Sequence, residues 1–517
     1  MIRSGFIVSL VLALVFILLP LPFVDAAECN PNTEITRVSV ASDGTQANGD
    51  SRYGDISNDG RYVAFFSEAN NLVPGEPLDD KADIYVYDRH TCQVTRIRAD
   101  LEGIPPYAAE PLNFSGDGRY IVFLSVASDL VDTDTYGWFQ IYRHDRLSNE
   151  TVLVSVNASG EAGYFDSYIP TVSDDGQWVV FTSDADNLVP DDMNNQPDVF
   201  ARNMLTGNIV RLVADKNNPN NANFRAFTAM ISGNGRYVVA SFIDERSGLG
   251  LNNRIMLFDL QANTSIRLPF ARHALFPSIS GDGRYVAFYT DDVGGPELAK
   301  SYVYDRQTNT TRRIPIDAGN DPESTGLYIP KLSADGRYVA LVAESFGSSP
   351  GDFRWDILLY NRLTRQSTRV SVTTKNEPAN GLSHYQNLSS SGRYISFVSD
   401  ASNLVADDTN NAFDIFVVDM ELRDSLAAAP RPNLYTTATP TLTWNHVTWA
   451  VGYEIQVDDD LDFSSPVYER SFDAATLEAE IDTLPDATYY WRVRAVRLDL
   501  TTGPWSAIQT FLIDTAG

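Results

Sequence analysis

The sequence predicts an all-β chain: a seven-bladed β-propeller closed by its own N-terminal strand, followed by a smaller β-sandwich. Three observations predict it. First, a nine-residue phrase, SGDGRYVAF at 280–288, recurs in seven versions beginning at 57, 115, 173, 232, 280, 333 and 389. Its glycines, from Gly60 to Gly392, are separated by 58, 58, 59, 48, 53 and 56 residues, a spacing that fits one supersecondary unit packed against its own copies. Second, each phrase is followed by a β-rich run such as DIYVYDR (83) and, in six units, by another such as TRVSV (368). With the segment entering each Asp-Gly turn, that makes four strands per unit and no helical period between them. Third, the seventh unit lacks its last run, while TRVSV at 36–40 stands before the first turn and repeats 368–372 letter for letter. The N-terminal strand is therefore expected to complete the last blade and hide two sheet edges.

Residues 1–27 have the form of a secretory signal: Arg3, an apolar run from Phe6 to Val24, and small residues near Ala26. The same run is nearly long enough for a retained anchor, and no other apolar stretch could span a membrane. Cys29 and Cys92 are the only cysteines, and an even pair in an exported chain favours a disulfide. In a closed ring both would lie on one face of neighbouring blades, so the bridge would staple the closure.

The unit's chemistry is that of a hairpin. Asp-Gly supplies the turn, with glycine taking the positive φ that a side chain resists, and Tyr-Val-Ala-Phe reads as the strand after it. The recurring Arg of this phrase is expected to pair with an Asp of its own or an adjacent unit, such as the one at the end of the third strand, rather than to form a charged ring for a ligand. Residues 28–422 thus form the propeller and 423–432 an Ala/Pro-rich linker. From 433 to 517 the period disappears, and PTLTWNHV (440), YEIQVDDD (453), VYERSF (467), TYYWRVRAV (488) and AIQTFLI (507) alternate as strands of a sandwich.

Two resemblances follow from these residues. Trp444, the Leu484…Tyr489 corner and GPWS at 503 resemble the fibronectin type III family over the whole C-terminal segment, which implies binding or spacing. The phrase S-x-D-G-R-Y-[VI]-x-F followed by D-[IV]-[YF]-x-x-[DN]-R resembles the WD40-like repeat of the TolB family over residues 33 to about 422. That resemblance implies a propeller and, from the family's partner-binding members, an envelope protein. The same repeat also occurs in propellers of peptidases and in some lyases. This chain has seven copies where TolB has six blades, and it lacks TolB's separate N-terminal domain.

The formal net charge is −29, which disfavours nucleic acid and anionic lipid as partners. GSSPG at 347–351 fits the nucleophile-elbow pattern, but Pro350 opposes the helix that pattern needs and no parallel sheet surrounds it. His90, His144, His273, His384 and His446 are scattered, with His273 and His384 near the entrances of channel-lining strands. A recurring acidic loop reads NLVPDDMNNQPD (187) and NLVADDTNNAFD (403). Asp191, Asp192, Asn194 and Asp198, with Asp407, Asp408, Asn410 and Asp414, are its candidate ligands for a structural calcium ion. The alternative is turn chemistry, in which Asp and Asn bond their own backbone.

The sequence alone thus leads to an exported, monomeric and non-enzymatic scaffold with no catalytic residues and no cofactor beyond that calcium. It would be secreted, periplasmic or at the cell surface, and would engage a protein partner. Carbohydrate binding through Tyr107, Trp138, Tyr164 and Trp355 stands second, and a polysaccharide lyase or hydrolase using the channel third.

Overall fold

The computed structural model describes residues 33–515 apart from 76–80, 102–110, 216, 245–252, 270–273, 291–299, 316–328, 347–352, 424–433, 448, 499, 504 and 507. The expected signal (1–27), Cys29, Tyr107, His273, the Gly347–Gly351 motif and nearly all of the linker lie outside the described residues. Cys92 is disulfide-bonded.

The repeats form a β-propeller. Among the described residues they make seven four-stranded antiparallel sheets, one per unit. In unit one these strands are β2 (Ser51–Ile56), β3 (Tyr62–Ser67), β4 (Ala82–Asp88) and β5 (Gln93–Leu101). The N-terminal strand β1 (Ile35–Arg37) is the outermost strand of unit seven, pairing antiparallel with Asp414–Asp419. The match between 36–40 and 368–372 exists because both segments fill the same place in a unit.

Each letter of the repeated phrase has a mechanical role. In unit one, Ser57 Oγ donates to Asp59 (2.6 Å), and the backbone N–H groups of Arg61 and Tyr62 donate to Asp59 and Ser57 side-chain oxygens (2.9 Å each). Gly60 has φ 74°, and a Cβ there would strike Tyr394 of unit seven. The same contact recurs around the chain, Gly118 against Tyr62, Gly176 against Tyr120 and Gly283 against Tyr237. Glycine thus serves both the turn and the close approach of the preceding unit's ring. The Arg after it pairs with the Asp ending its own third strand: Arg61–Asp88 (2.7 Å), Arg119–Asp145 (2.6 Å), Arg236–Asp259, Arg284–Asp305 and Arg393–Asp419 (2.8 Å each). Arg284 holds the Asp305 carboxyl down at about 2. One residue beyond the end of the third strand, Arg89, Arg146, Arg306 and Arg362 stack on the tyrosine of the preceding unit, 3.6–4.2 Å above its ring.

A chain of backbone hydrogen bonds links the turns of successive units. It runs Asn58 N–H to Gly116 C=O (3.0 Å), Gly116 to Asp174 (3.0 Å), Asp174 to Gly233 (2.9 Å), Asn234 to Gly281 (2.9 Å) and Gly281 to Ala334 (2.8 Å). It returns through Asp335 to Ser390 (3.4 Å) and Ser390 to Asn58 (2.9 Å). A Cβ on Gly116 would lie 2.6–2.9 Å from Asn58 and Asp174 side-chain atoms, so the turns of units one, two and three pack closely side by side.

After a short helix (Met420–Arg423), the C-terminal strands form a five-stranded and a two-stranded sheet around a core that includes Trp444, Tyr453, Tyr489 and Trp491. Tyr489 Oη donates to the Pro485 carbonyl at 3.1 Å, which ties down the corner. These strands dock on unit six through Arg337. There Asn361 ends the third strand in place of Asp, and Arg337 instead donates to the carbonyls of Trp449 (2.7 Å) and Ala450 (3.0 Å). Arg497 adds an ion pair with Glu421.

Candidate binding pocket at the channel mouth

Because the strands of each sheet alternate in direction, every Asp-Gly turn lies at one end of the channel. The starts of the first strands and the longer loops lie at the other. At this loop end a cavity of about 200 Å³ opens among the first strands of units one, two, six and seven. Tyr53, Leu112, Lys331, Trp355, His384 and Tyr385 are among its walls.

Its shape comes from an irregularity in the first strands. Tyr53, Ile169, Phe276, Ile329 and Tyr385 all stand seven residues before their turn glycine, and all have positive φ (57°, 53°, 48°, 33° and 51°). Four of them sit where the pairing with the second strand shifts register, between Arg52 and Asp55, Tyr168 and Thr171, Leu275 and Ser278, and His384 and Asn387. Bulky side chains rarely adopt this conformation, and bulges re-aim them. Here the bulges place apolar side chains around the channel: Tyr53, Ile329 and Tyr385 line the cavity, and Ile169 and Phe276 line its neighbour. One step further along, polar side chains join adjacent units. Asp55 accepts from Asn113 (3.0 Å) and from Phe114 N–H (2.8 Å), Asn113 from Val172 N–H (3.0 Å), and Ser278 from Leu332 N–H (3.0 Å).

His384 is the centre of an aromatic cluster. Its ring lies 4.5 Å from Tyr385, 5.5 Å from Phe413 and 5.9 Å from Trp355, and Tyr53 lies 4.6 Å from Tyr385. Burial, with help from Arg52, lowers the imidazole to about 4, so it is neutral at physiological pH. Its Nδ1 is buried and makes no hydrogen bond. Arg52 stacks over Phe413 at 4.4 Å. The pocket therefore offers mostly ring surface with a few polar atoms, a surface suited to an apolar or ring-bearing group.

The structure separates the other expected residues. His144 is buried against Thr151 (2.9 Å), His90 is on the surface and His446 is in the C-terminal strands, so the described histidines do not converge. In the acidic loops the candidate calcium ligands meet an arginine. Arg211, from the outer strand of unit three, pairs with Asp192 and with Asp198 (3.2 Å), and Asn194 donates to Asp198 (2.9 Å). In unit seven, Arg37 pairs with Asp408 (3.0 Å) and Asp414 (3.6 Å), and Asn410 donates to Asp414 (2.9 Å). Asp191 and Asp407 contribute backbone carbonyls, to Arg211 and Gln46. Among the described residues no three acidic, His or Cys side chains are arranged to hold a metal. The arginine stands on the strand paired with the one that Asp198 or Asp414 begins, and the loop's own residue pattern carries no sign of it. Sequence reasoning also missed Tyr53 and Tyr385. Aligning the units seven residues before each glycine would have shown the apolar ring.

No protein-family model matches the chain, and no curated protein matches it. Solved structures do. An oligogalacturonate lyase from Vibrio parahaemolyticus shares 11% identity, with 75% of this chain and 93% of that chain covered and a TM-score of 0.49. TolB from Acinetobacter baumannii shares 13%, with 71% and 78% covered and a TM-score of 0.36. An acylaminoacyl peptidase from Pyrococcus horikoshii shares 11%, with 68% and 49% covered and a TM-score of 0.45. The likeness is one of fold. It corrects one expectation from the sequence, that the chain is non-enzymatic. Two of these three similar proteins are enzymes, so a propeller of this kind is no argument against catalysis.

Proposed function

We propose that this is an exported seven-bladed propeller that binds a protein partner on its loop face, seating one apolar or aromatic side chain of that partner in the channel-mouth pocket. Residues 28–422 form the ring. Residues 433–517 form a fibronectin type III-like sandwich held against unit six on the opposite face. Residues 1–27 direct the chain to the envelope or beyond. The observation that supports the reading is the pocket itself, open on the loop face and walled by Tyr53, Trp355, His384 and Tyr385. Its volume matches one large side chain, and a buried ring in a fitted pocket is the usual energetic centre of a protein interface. The acidic surface favours partners with neutral or basic contact residues.

A peptide library displayed on phage and selected on the full chain tests this. Enriched peptides should share an apolar or aromatic anchor, and Trp355→Ala should weaken them at least tenfold. Peptides without an anchor, or indifferent to Trp355, would contradict it. Incubating the selected peptides with the protein also shows whether any is turned over, a step for which His384 and Lys331 in the pocket are the first side chains to substitute.

A further inference from the structure

Unit two departs from its neighbours in a coordinated way. In units one, three, six and seven, an Asp in the first half of the third strand is held by an outer-strand Arg: Asp83 with Arg96, Asp198 with Arg211, Asp356 with Arg369 and Asp414 with Arg37. In unit two those positions are Gln140 and Leu153, and the ion pair is gone. Gln140 turns instead to the connection entering unit three, donating to the carbonyls of Gly163 (2.9 Å) and Phe165 (3.4 Å) while accepting from Ser155 (2.6 Å). The loop before it changes too. Where unit three has Asn194-Asn195-Gln196-Pro197, unit two has Tyr136-Gly137-Trp138-Phe139.

These changes together build an exposed aromatic surface at the junction of units two and three. Tyr136 meets Tyr164 edge-on at 5.3 Å and Trp138 meets Phe165 at 5.4 Å, yet the four rings remain 51%, 43%, 38% and 45% exposed. The rings are held by backbone bonds: Phe139 N–H to Asp166 (3.0 Å), Tyr164 N–H to Asn187 (3.0 Å) and Tyr136 N–H to Asp134 (2.8 Å). Asp134, whose carboxylate accepts from Tyr136 N–H, and Glu161, in the turn just before Tyr164, bring carboxylate oxygens beside the rings, and with desolvation and Tyr164 they raise the Tyr136 phenol. A surface of exposed rings rimmed by carboxylates on a chain of net charge −29 repels polyanions and accepts hydroxyl groups.

We propose that this junction is a binding site for a neutral polysaccharide. The apolar faces of its sugar rings stack on Trp138 and Tyr164, and its hydroxyls donate to Asp134 and Glu161. The site lies on the loop face and does not depend on the pocket having a protein partner.

The test is titration of the full chain with xyloglucan, a mixed-linkage β-glucan, a galactomannan and polygalacturonate, followed by tryptophan fluorescence and affinity electrophoresis. At least one neutral polymer should bind. Trp138→Ala and Tyr164→Ala should each weaken it roughly tenfold, the cost of losing one stacked ring. Trp138→Phe should retain most of the binding, and Trp355→Ala should leave it unchanged. Because the rings are exposed, the variants should melt with the parent chain. Failure of all three neutral polymers to bind, tighter binding of polygalacturonate, or variants that bind as well as the parent would overturn the proposal.

Discussion

The two ends of the channel obey different rules. At the turn end, each unit repeats the same bonds: a glycine against a neighbour's ring, an arginine against its own aspartate, and a link in the backbone chain from Asn58 round to Ser390. At the loop end the units diverge. Arginine fills the acidic loops of units three and seven, rings fill the loop of unit two, and the aromatic pocket draws on units one, two, six and seven. Repetition here records the demands of packing, and variation records what the fold leaves free. Even the turn end has two exceptions. Unit three has Gln177 and Asn203 in place of the arginine and the aspartate. Unit six loses its aspartate to Asn361, and the released Arg337 carries the C-terminal strands.

The comparison can be broken first at the turn end. Gly283→Val combines a φ of 75° with a Cβ against Tyr237 and should cost roughly 3 kcal/mol or more in urea unfolding. Met193→Ser, on the loop end and 70% exposed, should fall within about 0.5 kcal/mol of the parent. Equal effects would erase the distinction.

His384 gives the next largest effect, and it depends on pH. Its folded value of about 4 lies below the unfolded 6.5, so the unfolded chain binds the extra proton first as pH falls. This contribution is intact above pH 6.5 and is lost between 6.5 and 4, to a total of about 3 kcal/mol. His384→Phe should therefore gain on the parent steadily across that window in denaturation curves. A constant difference would mean that the imidazole is solvated.

Arg337→Ala should remove about 2 kcal/mol of docking, the scale of hydrogen bonds from a charged donor. Small-angle scattering should then show a larger radius of gyration. Asn361→Asp should have a smaller effect in the same direction, by recapturing the arginine for unit six. The smallest effect expected is none. Calcium or a chelator should move the melting temperature by less than about 1 °C, since Arg211 and Arg37 already occupy the acidic loops. A calcium-dependent rise would restore the ion that the sequence anticipates there.

How much of this was legible in the sequence follows the same division. The repeat, its strands and the shift of TRVSV to the N-terminus could all be read, because each is a local pattern enforced in every unit. Pairing of Arg61 with Asp88 was also within reach, being 27 residues apart in a recurring frame. In the acidic loops the oxygens were legible and the arginine beside them was not, since Arg37 lies 377 residues from Asp414. The pocket was hidden for a further reason. Its walls depend on a bulge that aims Tyr53 and Tyr385 into the channel, and no pattern of residue types announces a positive φ at tyrosine.

The central claim is that the loop end binds and the turn end holds. Amide hydrogen exchange of the full chain, with and without its best selected peptide, tests that most directly. Protection centred on residues 53–54, 111–112 and 384–387, with the turns at 58–60, 116–118 and 390–392 unchanged, is the predicted result. Protection centred on those turns, with the channel mouth still exchanging freely, would contradict it.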